Sequence, residues 1–491
     1  MTTPTSRTTT NQTATNPTTT NPTTTNQSAT DPSATDPSAT TRIGTTVERV
    51  ADALAAPREP LPQGPDHRVA PAVSLEGAAG AALFLAELAR HDPDRLPAAH
   101  AQLTVAAKGL TGTGSVGLIH GPAAVLAAVQ AVARLGGHYP RLRHNLTAHV
   151  ASTQLARSQA RSEAPGVGWS SYDLINGTAG TARLLLTAVT EGDEQERAAA
   201  EPALRAALGQ LVAVCAPAEV DGLLLPGWWV PQDRQPTEAD RRLFPRGDFN
   251  LGMAHGMAGP LALFARCTEL GVTVDGQLEA MHRVGDWLAD RADHDAFGPY
   301  WEPRLPFDDE VARGRGERTP PSHFAAAASG GAWCYGAAGI ANALLRAAEF
   351  TGEDAWRHLA LDSAHALLSR PDTGAHLKGP TVCHGQAGFL QSLWRLGRLA
   401  GDQLLLDHAA TLADQLAGQW DAQTPFGYQH LAPATRDGGW DRSQPMAGQD
   451  NIGVLEGAAG VAAALLSVLP RPGQDGTELD EPSWDRVLLL S

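Results

Sequence analysis

Cysteine is scarce. Four in 491 residues are too few for a disulfide framework in a chain this long. In a reducing compartment such residues lean toward metal binding or catalysis. Basic charge is also short. Against 53 Asp and Glu stand 37 Lys and Arg, a net charge of −16. No nucleic acid is expected as a partner, because that role needs a basic face. No run of about 20 apolar residues occurs, so the chain is not expected to be an integral membrane protein. The N-terminus lacks the apolar core of a secretory signal, and a cytoplasmic location with reduced thiols is the expectation. Good β-runs are few; Leu223-Leu224-Leu225 followed by Trp228-Trp229-Val230 reads as a short hairpin. What the chain does have is 42% apolar against 18% charged residues, enough for a substantial core.

Residues 1–45 are Thr, Asn, Pro, Ser and Ala, with near-repeats such as TNPTT and SATDP. Such a segment buries too little apolar area to offset its ordering entropy, and it reads as a disordered tail. From 46 to 491 one domain is expected. Ala/Leu stretches with a period near 3.6, as in Ala81–Ala89, predict helices. The domain is therefore all-α, with loop or small β excursions.

One short phrase returns along this domain: two glycines three apart, opening an Ala/Leu helix. It occurs at Gly77/Gly80, Gly177/Gly180, Gly256/Gly259, Gly336/Gly339, Gly385/Gly388 and Gly457/Gly460. A degenerate copy, His120-Gly121-Pro122-Ala123-Ala124, makes seven. The spacing leaves room for two helices and a loop per copy. Seven helical hairpins with a shared motif predict a closed α/α toroid, a double barrel whose inner helices begin at the glycines. The glycines would allow close backbone approach and tight entrance turns. An open solenoid is the alternative. In a closed ring the inner-helix N-termini gather at one end, a natural place for anions and metal-bound thiolates.

The residue before the first glycine is Glu76, His120, Asn176, His255, Tyr335, His384 and Glu456 in turn. Closure would bring these side chains together. Two copies carry thiols: Trp333-Cys334-Tyr335-Gly336 and Cys383-His384-Gly385. Cys334, Cys383 and His384 are three ligands suited to Zn²⁺, one ion per chain, with a fourth position left for water or substrate. Buried thiols and a satisfied histidine are the alternative. Cys215 and Cys267 lie in Ala/Leu helices and read as core.

The phrases Ala332–Gly336, Cys383–Gly388 and Phe249–Gly256, with Trp228–Pro231 ahead of the last, resemble the lanthipeptide cyclases, and in particular the stand-alone class I type. The resemblance spans roughly residues 46 to 470. It implies an α/α toroid with zinc held by Cys334, Cys383 and His384. It also implies an acid/base His at His255, an Asp at Asp173 and a Tyr at Tyr335. The implied reaction adds peptide cysteines to dehydroalanine or dehydrobutyrine, giving lanthionine or methyllanthionine in lantibiotic biosynthesis. The implied partners are a dehydrated precursor peptide with its leader, a separate dehydratase and an exporter. One position departs from the family. Many members carry Arg four residues before the first zinc Cys, where this chain has Gly330; Arg313 or Arg315 is the expected substitute.

The chemistry is coherent on its own terms. A thiol of pKa about 8.5 is only a few per cent ionised at pH 7. Zinc would deprotonate it, a gain of about 30-fold. The adduct's α-carbon then needs a proton, which a histidine can deliver. Asp173 either orients that histidine or caps the following helix. Rival readings are addition of a small thiol such as glutathione to an electrophile, a non-catalytic peptide-binding scaffold, and a glycosidase, which needs paired acids. Asp308-Asp309-Glu310 reads as a solvated loop, His120 as structural, and Gly112–Gly117 as a chance match to a nucleotide-binding loop.

Overall fold

A computed structural model describes residues 37–57, 72–110, 117–160, 165–317, 330–371, 373, 377–433, 446–470 and 484–491. The first helices are α1 (Pro37–Leu54), α2 (Ala78–Ala89), α3 (Leu96–Lys108), α4 (Gly121–Ala133), α5 (Pro140–Gln159), α6 (Thr178–Glu191), α7 (Glu194–Val214) and α8 (Glu238–Leu243). The rest are α9 (Ala258–Glu269), α10 (Gln277–Asp290), α11 (Phe307–Gly314), α12 (Ala337–Thr351), α13 (Asp354–Ser369), α14 (Gln386–Ala400), α15 (Gln403–Ala417) and α16 (Ala458–Ser467). The protein is all-α in class. No described helix is long and apolar enough to cross a membrane.

Seven of these helices, α2, α4, α6, α9, α12, α14 and α16, begin within the seven glycine phrases, at the first glycine or up to two residues after it. Every residue of α2 and of α16 is buried, as expected of helices apolar all round. Each packs on the next, and α16 packs back on α2, which closes the inner ring. The outer helices are amphipathic. In α10 the buried residues include Ala280, Met281, Val284, Trp287 and Leu288, one stripe at helical spacing. The result is an α/α toroid.

Six outer helices follow their inner partners in sequence. The seventh does not. α16 is covered by α1, from the other end of the domain. Ile43, Val47, Val50 and Leu54 of α1 are buried, and Arg42 Nε donates to Asp414 of α15 at 2.7 Å. The helix therefore starts at Pro37, inside the segment read as tail.

The entrance turns of the inner helices are bonded to one another. Main-chain N–H groups donate from Leu75 to Ile119 (2.9 Å), Leu174 to Ala254 (3.0 Å), Ala254 to Cys334 (3.2 Å) and Cys334 to Cys383 (3.3 Å). Cys383 donates to Leu455 (2.8 Å) and Val454 to Leu75 (2.8 Å). At the remaining junction Gly117 lies directly against Asn176. The seven turns thus form an annulus with main-chain polar groups paired across copies.

The glycines serve both of the expected purposes, and the tight entrance turn makes the closer contact. A Cβ on the second glycine would strike the copy's own entrance turn. It would lie 1.9 Å from Leu75 O at Gly80, 1.9 Å from Val382 O at Gly388 and 1.7 Å from Val454 O at Gly460. The motif folds each turn back onto its own helix and also lets the adjacent copy approach: the same Cβ would lie 2.9 Å from Leu118 at Gly180 and 2.9 Å from Val382 at Gly460. Left-handed φ is needed only in the degenerate copy, at Gly121 (φ 69°).

The excursions are small antiparallel pairs. β1 (Ala218–Val220) pairs with β2 (Leu223–Leu225), and β3 (Asp248–Asn250) pairs with β6 (Arg304–Pro306). β4 (Asp293–His294) pairs with β5 (Pro299–Tyr300), and β7 (His430–Pro433) with β8 (Met446–Gln449). The expected hairpin is therefore corrected. Leu223–Leu225 pairs with the strand before it, while Val230 bridges Asp248, because Asp221-Gly222 supplies two left-handed residues for a tight turn. Asp308–Glu310 is no solvated loop either. It forms the first turn of α11, and Glu310 is buried with Arg291 at 2.7 Å and the Trp287 indole at 3.1 Å.

A last segment, Trp484–Leu488, enters the ring from the end opposite the annulus. Its Asp485 is fully buried against Arg395 (2.6 Å) and Gln391 (2.6 Å). Arg183 of α6 donates to the Arg486 carbonyl at 3.0 Å. This 3₁₀ segment occupies the far end of the ring.

Candidate active site and metal centre

The annulus sets the site. Cys334 and Cys383 occupy the same place in adjacent entrance turns, two residues before the first glycine, and the Cys334 N–H bond to the Cys383 carbonyl holds those turns together. His384 follows Cys383 directly. Its Nδ1 lies 3.5 Å from Cys334 Sγ, and the donor atoms of all three residues lie within 4.8 Å of one another. A tetrahedral ion with bonds of about 2.3 Å to sulfur and 2.0–2.1 Å to nitrogen would need a sulfur–nitrogen separation of about 3.5 Å. The donor set therefore fits zinc in both kind and spacing.

Electrostatics point the same way. Cys334 is held well below the ordinary thiol range, first by the hydrogen bond from Cys383 and then by the neighbouring His384. The same contact, with burial, pushes Cys383 up. Burial opposes charge on His384, but its bond to Cys334 and the charges of Cys334 and Glu456 outweigh burial and raise it. The N-termini of α12 and α14, which follow within three residues, favour thiolate further. Cys215 and Cys267 behave as the core residues expected. Both are buried, and burial pushes each up to about 12.

On the next turn, His255 Nδ1 lies 2.7 Å from Asp173 Oδ2. The other Asp173 oxygen accepts the Asn176 N–H at 2.8 Å. Asp173 therefore both orients the histidine and ties its own turn. The Tyr335 ring is 5.9 Å from that of His255. Burial pushes its phenol well above the usual range, so the O–H stays protonated. All six residues expected at the site converge here.

Four neighbours were not among the residues expected at the site, although Asn250 lies in the Phe249–Gly256 phrase. Trp169 stacks on His255, with centroids 4.4 Å apart. Asn250 faces the Tyr335 phenol and accepts the Gly252 N–H at 3.1 Å. His430, on β7, accepts or donates at Nδ1 with Thr381 (3.0 Å) and lies with Nε2 3.7 Å from Glu456. Glu456 in turn is 4.0 Å from His384 Nε2. The fourth is Arg304. Neither expected arginine takes the place vacated at Gly330. Arg313 pairs with Asp293 (2.8 Å), and Arg315 borders a separate cleft with Trp228 and Trp287. The guanidinium whose charge reaches Tyr335 belongs to Arg304, buried between Asp248 (2.6 Å) and Asp240. The His120 side chain is exposed, while its backbone heads α4 and bridges Ser74 and Gly117. Residues 111–116 of the glycine-rich stretch lie outside the described residues.

A closed ring of seven helix pairs with a Cys–Cys–His donor set and a His–Asp pair at its mouth defines a class of protein. The family described as "Lanthionine synthetase C-like protein" matches residues 72–472, and the chain belongs to it. Among solved structures, the chain titled "Nisin cyclase" is similar, with a TM-score of 0.66 at 18% identity over 92% of this chain and 96% of that one. At that identity the likeness concerns the fold. No curated protein sequence matches the chain.

Proposed function

We propose that the protein is a zinc-dependent lanthionine cyclase acting on a dehydrated ribosomal precursor peptide. The observation that carries this reading is the placement of three zinc-type donors on two bonded turns, with an Asp-held histidine on the next. Bound by Cys334, Cys383 and His384, zinc would supply the positive charge that ionises a substrate thiol at neutral pH. The protein's own residues do the rest. The annulus holds the thiolate sulfur near the alkene β-carbon, and proximity supplies most of the acceleration. As the carbon–sulfur bond forms, the alkene electron pair moves toward the α-carbon and its carbonyl. Asp173 engages His255 Nδ1, so Nε2 is the nitrogen free to deliver a proton to the α-carbon. The thiol has lost one proton and the α-carbon has gained one, so the reaction is an isomerisation. The reading implies a separate dehydratase that makes the alkene, and a cytoplasmic setting.

Because mass does not change, the test counts free thiols. Purified protein is incubated with dehydrated precursor, and the product is alkylated with N-ethylmaleimide and weighed. Adducts should disappear with wild type and persist with Cys383→Ala. A cyclised product from a folded Cys383→Ala variant refutes the proposal. Consumption of free glutathione in place of the internal cysteine would mean a small-thiol transferase.

A further inference from the structure

His255 is held in its plane by Asp173, but a single in-plane bond leaves the imidazole free to rock about that axis. The stretch that supplies Asp173 also supplies Trp169. Residues Trp169–Ser171 form a 3₁₀ turn, and the Tyr172 and Asp173 N–H groups both donate to the Trp169 carbonyl, at 3.0 and 2.9 Å. One short turn therefore presents a carboxylate to the edge of the imidazole and an indole to its face. The rings stack with centroids 4.4 Å apart and planes 28° from parallel. The indole is itself anchored. The Arg304 guanidinium carbon lies 5.3 Å from its centroid, and Arg304 is fixed by Asp248 at 2.6 Å and Gln235 at 2.6 Å. The Val167 N–H donates to the Trp229 carbonyl at 2.8 Å and pins the segment leading into the turn.

We infer that Trp169 is the positioning residue for His255, with Arg304 helping to hold the indole in place. The inference rests on the proposed role of His255 as proton donor. Contact with an aromatic face resists rotation of the imidazole out of the plane that Asp173 sets.

The test compares Trp169→Phe, which keeps an aromatic face, with Trp169→Leu, which keeps bulk alone. The first readout needs no turnover. In protein labelled at histidine Cε1, the His255 resonance, assigned through His255→Gln, should carry an upfield ring-current shift. Leu should abolish it and Phe retain most of it. In the thiol-counting assay, Leu should lower kcat by about tenfold at little-changed KM, with Phe restoring most of the loss. Absence of the shift in wild type overturns the inference. So does a Leu variant that loses the shift and keeps full kcat. If wild type shows the shift but turns over no peptide, the stack stands and the proposed function fails.

Discussion

Gly388→Ala tests the link between the repeat motif and the metal centre. The new Cβ would lie 1.9 Å from the Val382 carbonyl oxygen, and real Cβ contacts essentially never fall below 3.0 Å. The turn must therefore back away from α14 by about 1 Å, and that turn carries Cys383 and His384. Metal sites tolerate ligand displacements of about 0.2 Å, so zinc affinity should fall by tenfold or more. Overpacking of this kind also costs about 1–3 kcal/mol of stability. Gly80→Ala supplies the matched control. Its Cβ would meet the Leu75 carbonyl at the same 1.9 Å, but its turn bears Glu76 and no metal ligand. Both variants should lower the thermal midpoint by similar amounts. Only Gly388→Ala should lose zinc to a chelator at concentrations the wild type withstands. Equal zinc retention in the two variants would refute the argument that the second glycine sets the position of the ligand turn.

Zinc content should be about one per chain and should vanish in Cys334→Ala and in Cys383→Ala, with the helical circular-dichroism signal preserved; metal analysis checks this. Asp173→Asn keeps an acceptor for the Asn176 N–H but removes the carboxylate from His255 Nδ1, so kcat should fall by about 100-fold while zinc content is unchanged. Glu76 is pushed up to about 8 by burial and by the charge of Glu456. Between its ordinary value near 4.5 and about 8, the unfolded chain gives up a proton that the native state keeps. Native stability should therefore decline by a few kcal/mol as pH rises through that window, a slope that Glu76→Gln should flatten in thermal denaturation.

The ring was legible because its signal is local and repeated. Seven glycine phrases mark seven helix starts, and equivalence of position placed Cys334, Cys383 and His384 together before any distance was known. Their physical reason was less legible, since a glycine says that something is close but not what. Trp169 was invisible because an aromatic beside a loop has no period, and His430 because it lies outside the repeats on β7. The partnership of α1 with α16 was hidden for another reason. Pro37–Leu54 begins in Thr- and Ala-rich sequence continuous in composition with the tail, and its apolar stripe acquires meaning only when the other end of the domain arrives to cover it. Arg304 was equally opaque. A guanidinium held under an indole by two acids from distant segments leaves no spacing to read.

The closure of the annulus also has a consequence in time. Glu76 accepts from the Leu455 and Glu456 N–H groups, at 3.0 and 2.9 Å, across 379 and 380 residues of chain. At synthesis rates of about 5–20 residues per second, the first entrance turn waits roughly 20–75 s for the last. Throughout that interval α2, buried on every side in the finished ring, has an uncovered edge. A growing chain of this design therefore passes through an obligatory open arc, with an uncovered apolar edge at its leading end until the final helices emerge.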